Sequence, residues 1–221
     1  RKFQSRGLPK SWSDGMGKFG ERVTPLGSVA CYVPGGTAPL ASTVIMTVVP
    51  AKVAGVEEII VATPAPGDQM PHPAVLAAAK IAGASRVFKL GGAQAIAALA
   101  YGTESIPSVD LICGPGSAWV TAAKKLVFGD VGIDGLYGPT ETLVIADATA
   151  DPEFTASDLI AQAEHDTVAM PILVALSDEI VDKTESEIER QLENLPRSSI
   201  ARAAFDNRGV AVVVDNTTEA I

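Results

Sequence analysis

Seven short runs rich in β-branched residues alternate along the chain with Ala-rich stretches of helical period, and three of those runs stop directly on glycine-rich turns. That alternation is the pattern of βαβ units, in which crossover helices join parallel strands. The chain is therefore read as α/β and Rossmann-like, with mostly parallel sheets and flanking helices. The spacing predicts strands over 29–33, 58–62, 86–89, 109–113, 142–146, 172–176 and 210–214. Helices are expected over 42–53, 74–82, 93–101, 118–128, 152–164 and 178–193. Asp151-Pro152 marks one helix start clearly, because Asp accepts from the free amides of a first turn and Pro fits the first helical position. Near residue 148 charges become denser and the glycine-rich loops stop. The expected organisation is an N-terminal helical or loop segment (1–25), a first Rossmann-like domain on the nucleotide side (26–147) and the start of a second (148–221).

The turns are Tyr32-Val33-Pro34-Gly35-Gly36, Leu90-Gly91-Gly92-Ala93-Gln94 and Cys113-Gly114-Pro115-Gly116-Ser117. All three fall at C-terminal strand ends. In open parallel sheets ligands bind in the crevice there, and turns without side chains let backbone amides approach an anionic or nucleotide ligand. A literal GxGxxG at Gly15-Met16-Gly17-Lys18-Phe19-Gly20 has neither a strand before it nor a helix after it, so it is rejected as a dinucleotide fingerprint. No GxxxxGK[ST] occurs, which disfavours a P-loop.

The formal net charge is −9, yet residues 1–22 carry six Lys or Arg against two Asp or Glu. A short basic end on an acidic chain argues against a nucleic-acid surface and reads as a solvated terminal helix. No apolar run approaches the ~20 residues of a membrane span. Cys31 and Cys113, far apart and set in apolar runs, suggest neither a disulfide scaffold nor a CxxC metal site, which implies a reducing, cytoplasmic setting. The absence of a leader and of an initial Met reads as a fragment.

Two histidines are present. His72, between Pro71 and Pro73, reads as a solvated loop residue. His165 closes the helix that starts after Asp151, with Gln162 three residues earlier on the same face, where an i, i+3 pair can present two donors to one metal ion. A plain helix-end histidine, favoured by the helix dipole, explains the same spacing.

Taken in order, Cys31-Tyr32-Val33-Pro34-Gly35-Gly36, the run from Gly91 to Ala100, Gly114-Pro115-Gly116, Gly138-Pro139-Thr140-Glu141 and Gln162-Ala163-Glu164-His165 closely resemble histidinol dehydrogenase, from about Arg22 onward. The resemblance implies a homodimer of Rossmann-like domains whose active site is completed across the subunit interface. It also implies Zn2+ and the successive use of two NAD molecules to oxidise L-histidinol, through histidinal, to L-histidine. By motif, Tyr32, Gln94 and Ser117 belong to the cofactor site, Gln162 and His165 are two of four zinc ligands that also meet substrate, and Thr140 contacts substrate. Thr140 stands where the family has serine, which keeps a hydroxyl; Ser117 replaces the family's asparagine and loses an amide donor and acceptor. The family's catalytic Glu-His pair and its other two zinc ligands lie in a later segment, beyond Ile221, and roughly a hundred N-terminal residues of the pattern are also absent. Glu164 is left unassigned as a base, because adjacent helix residues point about 100° apart.

Two rival readings remain open on the residues alone. One is an aldehyde dehydrogenase-like reaction with Cys113 as nucleophile, against which stands the lack of a neighbouring base. The other is a truncated, non-catalytic nucleotide-binding or dimerisation module.

Overall fold

The computed structural model describes residues 1–35, 39–137 and 140–221. Gly36 and the Gly138-Pro139 pair, which belong to two of the motifs above, lie outside the described residues. The chain forms two compact units, Arg1–Tyr137 and Gly138–Ile221. The division falls ten residues or so before the expected break at 148. The reason is pairing: the strand expected to close the first domain is the edge strand of the second sheet.

The first unit opens with a 3-10 turn at Gln4–Gly7 and an antiparallel hairpin of β1 (Trp12–Ser13) and β2 (Gly20–Glu21). The expected solvated terminal helix is therefore not formed, since Phe3, Trp12, Met16 and Phe19 are all exposed and give a helix there no apolar face to pack. The rejected GxGxxG is the bend of this hairpin. A short strand does precede it, Gly17 takes a left-handed φ of 65°, and the element after it is a strand rather than a helix.

Next come β3 (Ser28–Tyr32), α1 (Ala41–Val53), β4 (Glu58–Thr63), α2 (Pro73–Ala82), β5 (Arg86–Lys89), α3 (Gly92–Tyr101), β6 (Leu111–Cys113), α4 (Ala118–Val127) and β7 (Gly132–Ile133). They build a parallel five-stranded sheet in the order β5-β4-β3-β6-β7. The chain winds outward from β3 to β5, then returns to the other side of β3 for β6. That reversal is a topological switch point, where open α/β sheets form a crevice beyond the strand ends.

Strand alternation supplies two cores. Val29, Cys31, Val33, Ile59 and Val61 face Val44 and Val48 of α1 and Val75 and Ala79 of α2. Ala30, Tyr32, Ile60, Ala62 and Ile112 face Ala95, Ile96 and Leu99 of α3 and Val120, Ala123 and Val127 of α4. Burial on both faces explains why these strands read as unbroken apolar runs.

The second unit holds β8 (Glu141–Ala146), α5 (Pro152–Ala163), β9 (Met170–Ala175), α6 (Asp178–Leu192), α7 (Ser198–Arg208), β10 (Val210–Val213) and α8 (Thr217–Ala220). Its parallel sheet has the order β10-β9-β8. Asp151 caps α5 as expected, accepting from the Glu153 amide at 2.8 Å with Pro152 in the first turn. The sequence pattern does not predict α7, because Arg197 before it makes no side-chain cap and thus leaves no start signal. Among the described residues no helix is long and apolar enough to cross a membrane.

Gly114 is the tightest point of the first sheet. It adopts φ +111°, and a Cβ there would run into the carbonyl oxygen of Tyr32 on the neighbouring strand. Gly114→Ala is expected to cost at least about 3 kcal/mol, from left-handed strain plus backbone displacement. Urea denaturation checks this, with Gly129→Ala, also at positive φ but in open space, as the milder comparison.

Candidate functional site

Tyr32 ties the turns of the first sheet together. It ends β3 with its side chain buried on the α3/α4 face, and its hydroxyl accepts the Gly92 amide at 3.0 Å. Its carbonyl oxygen lies against Gly114. One residue thus links the turn after β5 to the turn after β6, across the switch point. Gln94, one turn into α3, lays its side-chain amide over Gly92: a methyl there would stand 2.7 Å from Gln94 Oε1, and φ at Gly92 is +72°. Gln94 and Ser117 are both exposed. The structure accordingly brings Tyr32 and Gln94 to one turn, while Ser117 sits at the start of α4, three residues after Gly114.

The starts of α3 and α4 share a property. Gly91 before α3 and Ser117 before α4 make no side-chain cap, whereas Asp151 caps α5 and His72 caps α2. Uncapped first-turn amides carry the positive end of the helix dipole and suit an anionic group. His72 is not idle in its loop, since its Nδ1 accepts the Ala74 amide at 3.2 Å. It also borders a cleft of about 310 Å³ with Pro34, Thr63, Pro64 and Gln69, at the same edge of the sheet.

Sequence reasoning missed Lys124 and Asp134. Lys124 of α4 is buried, with 2% of its side chain exposed; its Nζ donates to Gly114 O at 3.0 Å and pairs closely with Asp134 Oδ1. Asp134 Oδ2 accepts the Gly114 amide at 2.7 Å. Both polar backbone groups of Gly114 are therefore held by one ion pair, whose lysine is buried and whose aspartate reaches solvent. The Tyr137 ring lies 5.1 Å from the ammonium, a cation–π contact. Desolvation first, and then the Asp134 charge, raise the Tyr137 phenol above its ordinary value. A signal was present: Lys124 occupies a core position of α4 in the series Val120, Ala123, Lys124, Val127.

Cys31 and Cys113, far apart in sequence, are direct neighbours on β3 and β6, with 3.7 Å between their sulfurs. Both are free thiols. Cys113 donates to Cys31, which draws the Cys31 thiol below its ordinary value against the opposing effect of burial. The same bond, followed by burial, pushes Cys113 up. Cys113 packs with the α1/α2 core, on the face opposite Tyr32. This arrangement disfavours a Cys113 nucleophile.

In the second unit, α5 ends at Ala163, so His165 lies just past the helix rather than closing it. A 3-10-type bond from the His165 amide to Gln162 O, 3.2 Å, carries the chain one turn further and keeps the i, i+3 relation. His165 is exposed and Gln162 buried. Thr142 Oγ1 donates to Gln162 Oε1 at 2.7 Å, and Gln162 Nε2 is buried with no partner. Thr140 is exposed just before β8, its carbonyl accepting the Met170 amide at 3.0 Å. Because α5 runs antiparallel to the strands, these residues gather at the N-terminal edge of their sheet, opposite in sense to the turns of the first unit. Among the described residues no three His, Cys, Asp or Glu side chains form a metal cluster.

The family model for histidinol dehydrogenase matches residues 1–221. The chain is 54% identical over 203 residues to histidinol dehydrogenase from Thermus thermophilus, covering 92% of this chain and 48% of that protein. It is 50% identical over 223 residues to the enzyme of the same name from Synechococcus sp., covering 99% and 51%. The crystal structure of histidinol dehydrogenase from Elizabethkingia anophelis superposes with a TM-score of 0.94 at 38% identity, over 99% of this chain and 51% of that one. The chain spans about half the length of the curated relatives it matches.

Breaking this pair, one partner of which is buried, should be costly. Lys124→Met is expected to lose about 1–3 kcal/mol by freeing the Gly114 carbonyl and leaving Asp134 unpaired against the same turn, and Lys124→Met/Asp134→Leu should recover part of that loss. Chemical denaturation of the two variants beside the parent chain checks both signs.

Proposed function

Because the chain belongs to the histidinol dehydrogenase family, we propose that it supplies the nucleotide side and half of the metal site of an enzyme that oxidises L-histidinol to L-histidine, through histidinal, with two NAD. The observation that carries this reading is Tyr32, which joins the Gly92 and Gly114 turns at the switch point. Strand ends at such a crossing are where parallel sheets take nucleotides. The uncapped starts of α3 and α4 offer amides to the pyrophosphate, and Gln94 and Ser117 stand beside them as polar contacts for the rest of the cofactor. Bound NAD supplies the hydride acceptor.

Gln162 and His165 fit half of a zinc site. The buried Gln162 amide has one end without a partner, and a half-turn of that amide presents its carbonyl oxygen there instead of its nitrogen. The end of α5 carries the negative pole of the helix dipole, which favours a cation. Zinc, when bound, supplies a Lewis acid that polarises the alcohol oxygen and orients the substrate's nitrogen. Neutral His165 supplies a ring nitrogen, and the Thr140 hydroxyl is available to hydrogen-bond the substrate. The proton-accepting base is assigned to the Glu-His pair expected downstream of Ile221, not to Glu164. A catalytic zinc normally holds three protein ligands, so this chain alone is expected to be inactive. The whole enzyme is read as a cytoplasmic homodimer that shares its active site between subunits.

The test uses the full-length protein. Two NADH per L-histidinol are expected, with turnover lost on metal removal and restored by Zn2+, and with Cys113→Ala as active as the parent. Release of histidinal after a single NADH, or full turnover without metal, would falsify the reading.

A further inference from the structure

We infer that Thr142 is a positioning residue that sets which end of the Gln162 side-chain amide is offered to a cation; this rests on the reading of Gln162 given above. Among the described residues the Gln162 side chain is held by one hydrogen bond, from the Thr142 hydroxyl at 2.7 Å, while the other end of the same amide is buried and unpartnered. A buried amide nitrogen without an acceptor costs free energy, so something beyond the hydrogen bonds of the described residues completes that end. A cation cannot be met by Nε2. It can be met by the carbonyl oxygen once the amide turns by half a revolution, and Nε2 then faces Thr142.

A hydroxyl is the group that serves both orientations. It donates to Oε1 in one and accepts from Nε2 in the other, so the amide stays anchored at one end whichever way it faces. With the amide turned, accepting from Nε2 also leaves carbonyl density free for the metal, as outer partners of metal ligands do. Thr142 is well placed for a fixed task. It lies on β8, whose backbone is locked to β9 in register Thr142↔Pro171, so its hydroxyl does not move with the exposed turn that carries His165. Thr140, two residues earlier on the same strand edge, is exposed and free for substrate. The two threonines thus differ: Thr140 faces solvent, and Thr142 holds Gln162.

The test is zinc affinity of the full-length protein, by competition with a chromophoric chelator. Thr142→Val, which keeps shape and suits a strand, is expected to weaken Zn2+ binding by about 10- to 100-fold, with Thr142→Ser close to the parent. Zinc affinity unchanged in Thr142→Val overturns the inference. Gln162→Leu separates the two levels: if it binds Zn2+ like the parent, the zinc reading of Gln162 fails and this inference with it, whereas its loss beside an unaffected Thr142→Val sinks only the role of Thr142. Should Thr142→Val fail to fold, a crystal structure of the zinc-loaded parent decides. Thr142 Oγ1 within hydrogen-bond distance of the Gln162 amide, with the carbonyl oxygen on zinc, supports the inference, and separation of the two contradicts it.

Discussion

A buried lysine and an aspartate hold the backbone of one glycine, and the switch-point edge of the first unit is built around that contact. Lys124 takes the carbonyl of Gly114, Asp134 takes its amide, and the solvent-reaching carboxylate neutralises the buried ammonium. Gly114 needs this clamp because its left-handed φ and its contact with Tyr32 leave it no Cβ and little slack. Tyr32 then passes the constraint across β3 to Gly92 through its hydroxyl. An ion pair of this kind is a poor source of net stability, since desolvation cancels most of its attraction. Its use here is geometric: it fixes the Gly114 turn and, through Tyr32, the Gly92 turn.

The second unit reaches a complementary end by opposite means. Where the first has the uncapped starts of α3 and α4, it has a helix end, α5, with Gln162 and His165 on the last turn and the turn beyond. Positive backbone termini suit the phosphates of a dinucleotide, and a negative terminus suits a metal ion. The same dipole thus distinguishes the two chemistries.

Much of the fold was legible because it rests on local patterns. Strands buried on both faces, as 58–62 is, produce apolar runs that stand out, and Asp151-Pro152 starts a helix with its own side chains. Tyr32, Gln94, Gln162 and His165 were singled out through motifs; the structure sets Tyr32 and Gln94 each against Gly92 and keeps Gln162 one turn from His165. What escaped was non-local or cancelled locally. The end of the first unit was set too late because strand 141–146 pairs with a partner later in the chain. The basic terminus lacked an apolar stripe and did not become a helix. Cys31 and Cys113 were separated in sequence and adjacent in register. Lys124 was hidden by the habit of reading lysine as solvent-facing, although its spacing put it in the core of α4.

The central claim is that nucleotide meets the turns clamped by Lys124 and Asp134 and joined by Tyr32, and not the hairpin that spells GxGxxG. Amide hydrogen exchange of the full-length protein with and without NAD addresses it most directly. The account predicts slower exchange on NAD binding in peptides covering 91–94 and 114–118, with 15–20 unchanged. Protection of 15–20, with 91–94 and 114–118 exchanging as before, would contradict it.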